Sequence, residues 1–171
     1  SILSAQIGLE KNIELNFKVR KKFLYEIYKN IKKNYKVIAK LETLETGKNI
    51  NDAKKEILHS AKIWLYASKF VKNNSFTKKL SVNHKAVIKF EPVGIVTLIV
   101  PWNFPFVVMS ERLPFIIAAG NSVIIKPSEY ASQSLIYLMK IIKKINLPTG
   151  IVNLVTGSGP KAGSLLINNK N

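Results

Sequence analysis

Three short apolar runs, residues 94–100, 122–126 and 151–155, begin 28 and 29 residues apart, and this spacing constrains the fold more than any other feature of the chain. The interval is about the length of a strand–helix–strand unit. Runs that are apolar at successive rather than alternate positions suit strands buried on both faces, as parallel strands are. The stretches between them supply the crossovers. Residues 104–119 place Pro105 in a first helical turn and end at Gly120-Asn121, and residues 131–146 end at Leu147-Pro148-Thr149-Gly150. Residues 92–171 therefore read as the first half of a doubly wound, Rossmann-like parallel sheet of the α/β class.

The period is different upstream. From Leu9 to Leu41 apolar residues recur in steps mostly of three or four, through Ile13, Phe17, Leu24, Ile27, Ile31 and Ile38, which predicts an amphipathic helix broken once. Gly47-Lys48 supplies a stop, and Asn51-Asp52 offers caps for a second helix that carries Ile57, Ala61, Trp64 and Leu65 and closes at Asn73-Asn74. Alternation at Leu80 and Val82, a turn at Asn83-His84, and Val87, Ile88 and Phe90 predict an antiparallel hairpin. The expected organisation is a helical segment over 1–75, a β-hairpin over 76–91, and the opening of a parallel α/β domain over 92–171.

Composition narrows the function classes. A net charge of +17 invites a nucleic-acid reading, but 20 Lys/Arg against 7 Asp/Glu fall in residues 1–90 and 7 against 3 in residues 91–171, so the excess sits on the helical half. There the lysines are scattered among isoleucines and asparagines instead of clustering with aromatics and glycines, which describes a solvated helix face and no nucleic-acid surface. The chain has no cysteine, and His59 and His84 lie 25 positions apart, so no metal site is expected. No apolar stretch reaches the roughly 20 residues that span a bilayer, and the start, Ser1-Ile2-Leu3-Ser4-Ala5, lacks a charged signal-peptide flank. A soluble cytoplasmic protein without a membrane segment is the expectation.

In a doubly wound sheet ligands bind beyond the carboxyl ends of the strands. Pro101-Trp102-Asn103 ends the first strand, bracketed by Pro101, which cannot continue strand pairing, and by Pro105. A loop so stiffened holds the Asn103 amide in a fixed direction, as stabilising a developing oxyanion requires. Capping the next helix is the alternative role for the same side chain. Lys126 and Glu129 follow the second strand and should face the same crevice, where a carboxylate suits ribose hydroxyls and a lysine suits ribose or phosphate. A surface ion pair on an exposed turn is the alternative there. Gly157-Ser158-Gly159-Pro160-Lys161-Ala162-Gly163 has the spacing G-x-G-x-x-x-G after the third strand, which reads as a tight strand-to-helix turn and not as a dinucleotide fingerprint. Glu111 and Arg112, on an otherwise apolar helix, read as an ion pair or a surface pair.

Six segments, taken together and in order, resemble the aldehyde dehydrogenase superfamily: Glu45-Thr46-Gly47-Lys48, Glu91-Pro92-Val93-Gly94, Pro101-Trp102-Asn103-Phe104-Pro105, Ala118-Ala119-Gly120-Asn121, Lys126-Pro127-Ser128-Glu129 and Leu147-Pro148-Thr149-Gly150-Ile151-Val152-Asn153. The resemblance covers residues from about 10 to 171 and points to the N-terminal part of such an enzyme. It implies oxidation of a small-molecule aldehyde to a carboxylate through a cysteine thiohemiacetal, with the cysteine outside this chain, and a homo-oligomeric parent. It implies Asn103 as an oxyanion-hole residue, and cofactor contacts at Val100, Pro101, Trp102, Asn103, Lys126, Ser128, Glu129, Gly157, Gly159 and Gly163. NAD is the implied cofactor. A glutamate facing the 2′ position disfavours the extra phosphate of NADP, since like charges near 4 Å repel by roughly 4 kcal/mol at an effective dielectric of 20, but Lys126 and the small Ser128 soften this and leave NADP open. Two other roles stay open on the sequence: an acylating or phosphate-reducing relative of the same fold, and a non-catalytic remnant acting as a binding or assembly module.

Overall fold

The computed structural model describes residues 1–71, 75–81 and 84–169. The periodic stretch upstream is indeed two helices, α1 (Ile2–Glu14) and α2 (Phe17–Thr46), so helix starts earlier than the apolar repeat suggests. Leu15 turns extended between them, and the Asn16 side chain caps α2 by accepting from the Lys18 amide at 2.9 Å. Gly47 ends α2 in the left-handed region, φ 71°, and its N–H closes on the Thr43 carbonyl at 3.0 Å. Helix α3 (Ile50–Phe70) is capped by Asn49, not by Asn51-Asp52. Its Oδ1 accepts from the Asn51 amide at 2.8 Å, which puts Asn51 and Asp52 inside the first turn. The proposed stop at Asn73-Asn74 lies outside the described residues.

The hairpin pairs β1 (Phe76–Lys79) with β2 (Lys85–Ile88) in antiparallel register, Phe76 opposite Ile88. Leu80 falls just past β1, where its N–H bonds the His84 carbonyl at 2.9 Å; Val82 of the expected alternation and Asn83 of the expected turn lie outside the described residues. Phe76, Leu80, Val87, Ile88 and Phe90 are all exposed on this ribbon.

The three apolar runs form the parallel sheet, β3 (Ile95–Val100), β4 (Ser122–Pro127) and β5 (Val152–Leu154), in the order β3-β4-β5. Ile95 pairs with Ser122 and Val100 with Pro127, while Val123 pairs with Val152. The expectation of burial on both faces is met by β4 and by β5, where Val152 and Asn153 are both buried, but not by β3. All six residues of β4 are buried, whereas Thr97 and Ile99 of β3 are exposed, because α1, which covers that face, packs chiefly over β4.

The expected crossover helix over 104–119 is two helices, α4 (Pro105–Ser110) and α5 (Leu113–Ala118), with Glu111-Arg112 between them. Pro114 explains the break, since it has no N–H to donate to the Ser110 carbonyl. Helix α6 (Gln133–Lys144) provides the second crossover, and β5 leads into a π-helical turn (Gly159–Gly163) and α7 (Ser164–Ile167). Helices α4, α5 and α6 lie on the sheet face that carries Leu98, Val100, Val123 and Ile125, and α2 and α3 pack over them. One apolar core thus runs from Leu24 in α2 to Val152 in β5, with Trp64 of α3 fully buried and its indole N–H on the Ser110 hydroxyl at 3.1 Å.

Helix α1 reaches all three strands and is held by close approach. A Cβ on Gly8 would come within 1.9 Å of the Gly150 carbonyl carbon, so this crossing admits only glycine. Asn12, buried, donates to the Asn121 carbonyl at 2.8 Å at the start of β4. Among the described residues, no helix is long and apolar enough to cross a membrane.

Candidate functional site

The carboxyl ends of β3, β4 and β5 carry the residues of interest. The loop after β4 is tied to the end of β3 by the Ser128 amide, which donates to the Val100 carbonyl at 2.9 Å. Ser128 then makes its own turn, its hydroxyl accepting from the Tyr130 amide at 3.3 Å. Lys126, the last residue but one of β4, is 2% exposed, yet its ammonium reaches the Pro127 carbonyl at 2.9 Å and a Glu129 carboxylate oxygen at 3.3 Å. The other carboxylate oxygen of Glu129 accepts from the Gly159 amide at 3.3 Å. The loops after β4 and β5 therefore meet at one exposed carboxylate, beside the end of β3.

Its own amide, the Gly159 N–H and Lys126 hold the Glu129 carboxyl below the usual range, against a small opposing effect of burial. It is an anion at neutral pH, placed where a ligand can reach it. Gly157 is required by conformation, with φ 146° and only 3.0 Å between a hypothetical Cβ and the Ala162 side chain. A side chain at Gly159 would point into open space beside Glu129, so glycine there leaves room rather than relieving a clash. Gly163 is buried inside the turn. A cleft of about 600 Å³ continues from this turn, lined by Pro160, Lys161, Ser164, Leu165 and Asn168.

The Pro101-Trp102-Asn103 loop is exposed as a whole, Trp102 included. Phe104, not Asn103, is the N-cap of α4, and it makes no side-chain cap bond. The Asn103 side chain instead clasps the backbone beside it, its Oδ1 accepting from the Phe104 amide at 3.1 Å. This engages the acceptor of the amide and leaves any donating to Nδ2. The capping role weighed on the sequence is therefore not taken by Asn103, whose oxygen engages the neighbouring backbone instead. Glu111 and Arg112 form an exposed pair at 3.3 Å.

Three residues that support these loops carry no recognisable signal of that role. Glu45, at the end of α2, accepts from the Ser132 amide at 3.1 Å and the Gln133 amide at 2.8 Å, so its carboxylate sits on the amino end of α6 some 87 residues away. Glu42, one turn earlier, is buried and accepts from the Ser134 hydroxyl at 2.5 Å. Burial pushes its carboxyl up to about 7, opposed by the Ser134 hydroxyl, by the charge of Lys48 and by the Phe106 amide, and reinforced by Glu56. Its second oxygen accepts no hydrogen bond among the described residues. Lys48 pairs with Glu56 and places its ammonium 4.0 Å from the centre of the Phe104 ring. The run Glu45-Thr46-Gly47-Lys48 reads in the sequence only as a helix stop and a piece of a family pattern.

A hollow of about 500 Å³ lined by Met139, Leu147, Pro148 and Gly150 lies at the amino end of β5, away from all these groups. Among the described residues, no cluster of His, Cys, Asp or Glu could hold a metal ion.

The chain is similar to known proteins along nearly its whole length. The pattern of the aldehyde dehydrogenase family matches residues 2–171. The chain is 37% identical over 153 residues to aminoaldehyde dehydrogenase 2 of Zea mays, covering 86% of this chain and 30% of that protein. It is 42% identical over 131 residues to the NADP/NAD-dependent aldehyde dehydrogenase PuuC of Escherichia coli (strain K12), covering 75% and 26%. The NAD+ complex structure of an aldehyde dehydrogenase from Bacillus cereus superposes with a TM-score of 0.94 at 30% identity, over 98% of this chain and 35% of that one. The chain spans about a third of the length of these relatives. With a match along nearly its whole length, the chain belongs to the aldehyde dehydrogenase family.

Proposed function

We propose that this chain supplies the cofactor grip and the oxyanion donor of an NAD(P)-dependent aldehyde dehydrogenase, which oxidises an aldehyde to a carboxylate with a cysteine nucleophile from sequence outside these 171 residues. The observation that carries the reading is the Glu129 carboxylate, ionised and exposed where Lys126 and the Gly159 amide converge. It fits the adenosine ribose of a dinucleotide: an acceptor for two hydroxyls, a neighbouring cation, and open space where Gly159 has no side chain. The Bacillus cereus relative is described as an NAD+ complex, which supports this assignment.

When bound, the nicotinamide accepts a hydride from the substrate carbon. The chain's own residues do the rest of the work on this side of the site. Glu129 and Lys126 orient the cofactor, and Trp102, half exposed beside it, offers an apolar wall. As a thiolate adds to the aldehyde, negative charge grows on the carbonyl oxygen, and Asn103 Nδ2 donates to it from a loop that needs no reorganisation. The exposed hairpin β1–β2, with five large apolar side chains facing solvent, is an assembly element in this reading and serves a homo-oligomer.

Glu129→Gln tests the assignment of the cofactor. In the full-length enzyme it should weaken NAD binding roughly tenfold, the size expected for a lost charge-assisted hydrogen bond. NADP binding should weaken less, because the same change removes a repulsion from the 2′-phosphate. Titration of both cofactors gives the ratio of affinities, and an unchanged ratio would take Glu129 out of the cofactor site.

A further inference from the structure

The turn around Gly47 lies 55 residues before Asn103 in sequence, counting 103 minus 48 from Lys48, yet it touches the same loop. Asn103 is oriented by the Phe104 amide, since that N–H holds the Asn103 Oδ1 at 3.1 Å and so sets the roll of the side-chain amide. Phe104 itself has the non-helical backbone of an N-cap, φ −138° and ψ 55°, without a side-chain cap bond to fix it. Its ring is 44% exposed, so burial alone does not hold it. The ammonium of Lys48 sits 4.0 Å from the ring centre. That lysine is itself well fixed, with its side chain 14% exposed and paired with Glu56, whose side chain is 21% exposed. A cation over an aromatic face counts for more when it is shielded from water. On the far side of the same turn, Glu45 holds the two amides that open α6, directly after the loop that carries Glu129.

We propose that Lys48 is a positioning residue for Asn103: through the Phe104 ring it fixes the backbone amide that sets the direction of the Asn103 donor. The proposal rests on the oxyanion role assigned to Asn103 above. Lys48 touches no reacting atom, so its effect should appear in turnover and should depend on the presence of the Asn103 side chain. A role confined to stability would lack that dependence.

The experiment is a double-mutant cycle in the full-length enzyme, with kcat and the NAD dissociation constant measured for each variant. Lys48→Met keeps the stem and removes the charge, and should lower kcat about three- to tenfold with NAD affinity unchanged. Lys48→Arg, which restores a cation over the ring, should recover most of the loss. Because Lys48→Met leaves Glu56 without its partner, Phe104→Leu is run alongside: it leaves the ion pair intact and removes only the ring, and should give a similar loss. In an Asn103→Ala background neither substitution should lower kcat further. A loss of the same size in both backgrounds, or no loss in either, would overturn the proposal. If Asn103→Ala itself left kcat intact, the oxyanion reading would fall first, and the proposal with it, so the two failures are told apart by the single variant.

Discussion

Asn103→Ala is expected to lower kcat by about 10²-fold in the full-length enzyme, the usual cost of removing one oxyanion donor, while the NAD dissociation constant stays within about twofold, since the grip on the cofactor rests chiefly on Glu129 and Lys126. The expectation follows from how the amide is used. Its oxygen is engaged by the Phe104 N–H, so the side chain cannot turn freely, and its nitrogen is the group left to donate. Pro101 before it and the buried Pro105 after it keep the loop short and stiff. A donor fixed before the reaction begins stabilises charge that appears only in the transition state, which is why the loss should fall on kcat. Steady-state kinetics and a cofactor titration on the purified variant check this. Turnover within about threefold of the parent, well short of that loss, would leave Asn103 with only its clasp on the Phe104 amide.

Glu42 carries the second large effect, on stability. Its folded carboxyl is raised to about 7 from an ordinary value of 4.5, chiefly by burial. The folded state therefore holds a proton that the unfolded chain has already released between these two values. Stability from this group is fully present below pH 4.5, falls as pH rises toward 7, and is level above that. Linkage puts the total loss at about 3 kcal/mol. Glu42→Gln cannot ionise, so relative to the parent it should gain about that much stability between pH 4.5 and pH 8. Denaturation midpoints of the two proteins across this range give the comparison, and curves that run parallel would show that Glu42 does not titrate on folding. Lys48 and Glu56 are the charged groups that act on it, with opposite signs.

The sheet was legible because its signal is compositional. Runs such as Ile-Val-Thr-Leu-Ile-Val in β3 and Ser-Val-Ile-Ile-Lys-Pro in β4 have no helical period, and their 28-residue spacing leaves room for only one kind of connection. Asn103, Lys126 and Glu129 stand out as candidates for the same reason, as polar residues at or just after the ends of such runs. The exposure of Thr97 and Ile99 was not legible, because it depends on where α1 lies across that face and not on the strand's own residues. The break at Glu111-Arg112 could have been read from Pro114, which denies the Ser110 carbonyl its donor. Support of the site by Glu42, Glu45 and Lys48 had no local sign at all. Each is an ordinary helix-end residue until the fold brings α2 against α4 and α6, across sequence separations of 56 to 92 positions. Gly8 is similar, a helical glycine whose necessity exists only because Gly150 passes beneath it.

The central claim is that the carboxylate held by Lys126 and the Gly159 amide grips the cofactor ribose at the ends of the parallel strands. A crystal structure of the full-length enzyme with NAD tests it most directly. The account predicts the adenosine ribose hydroxyls donating to Glu129, with Lys126 beside them and the adenine toward the cleft of Pro160, Ser164 and Leu165. A bound cofactor whose ribose touches neither Lys126 nor Glu129 would contradict it.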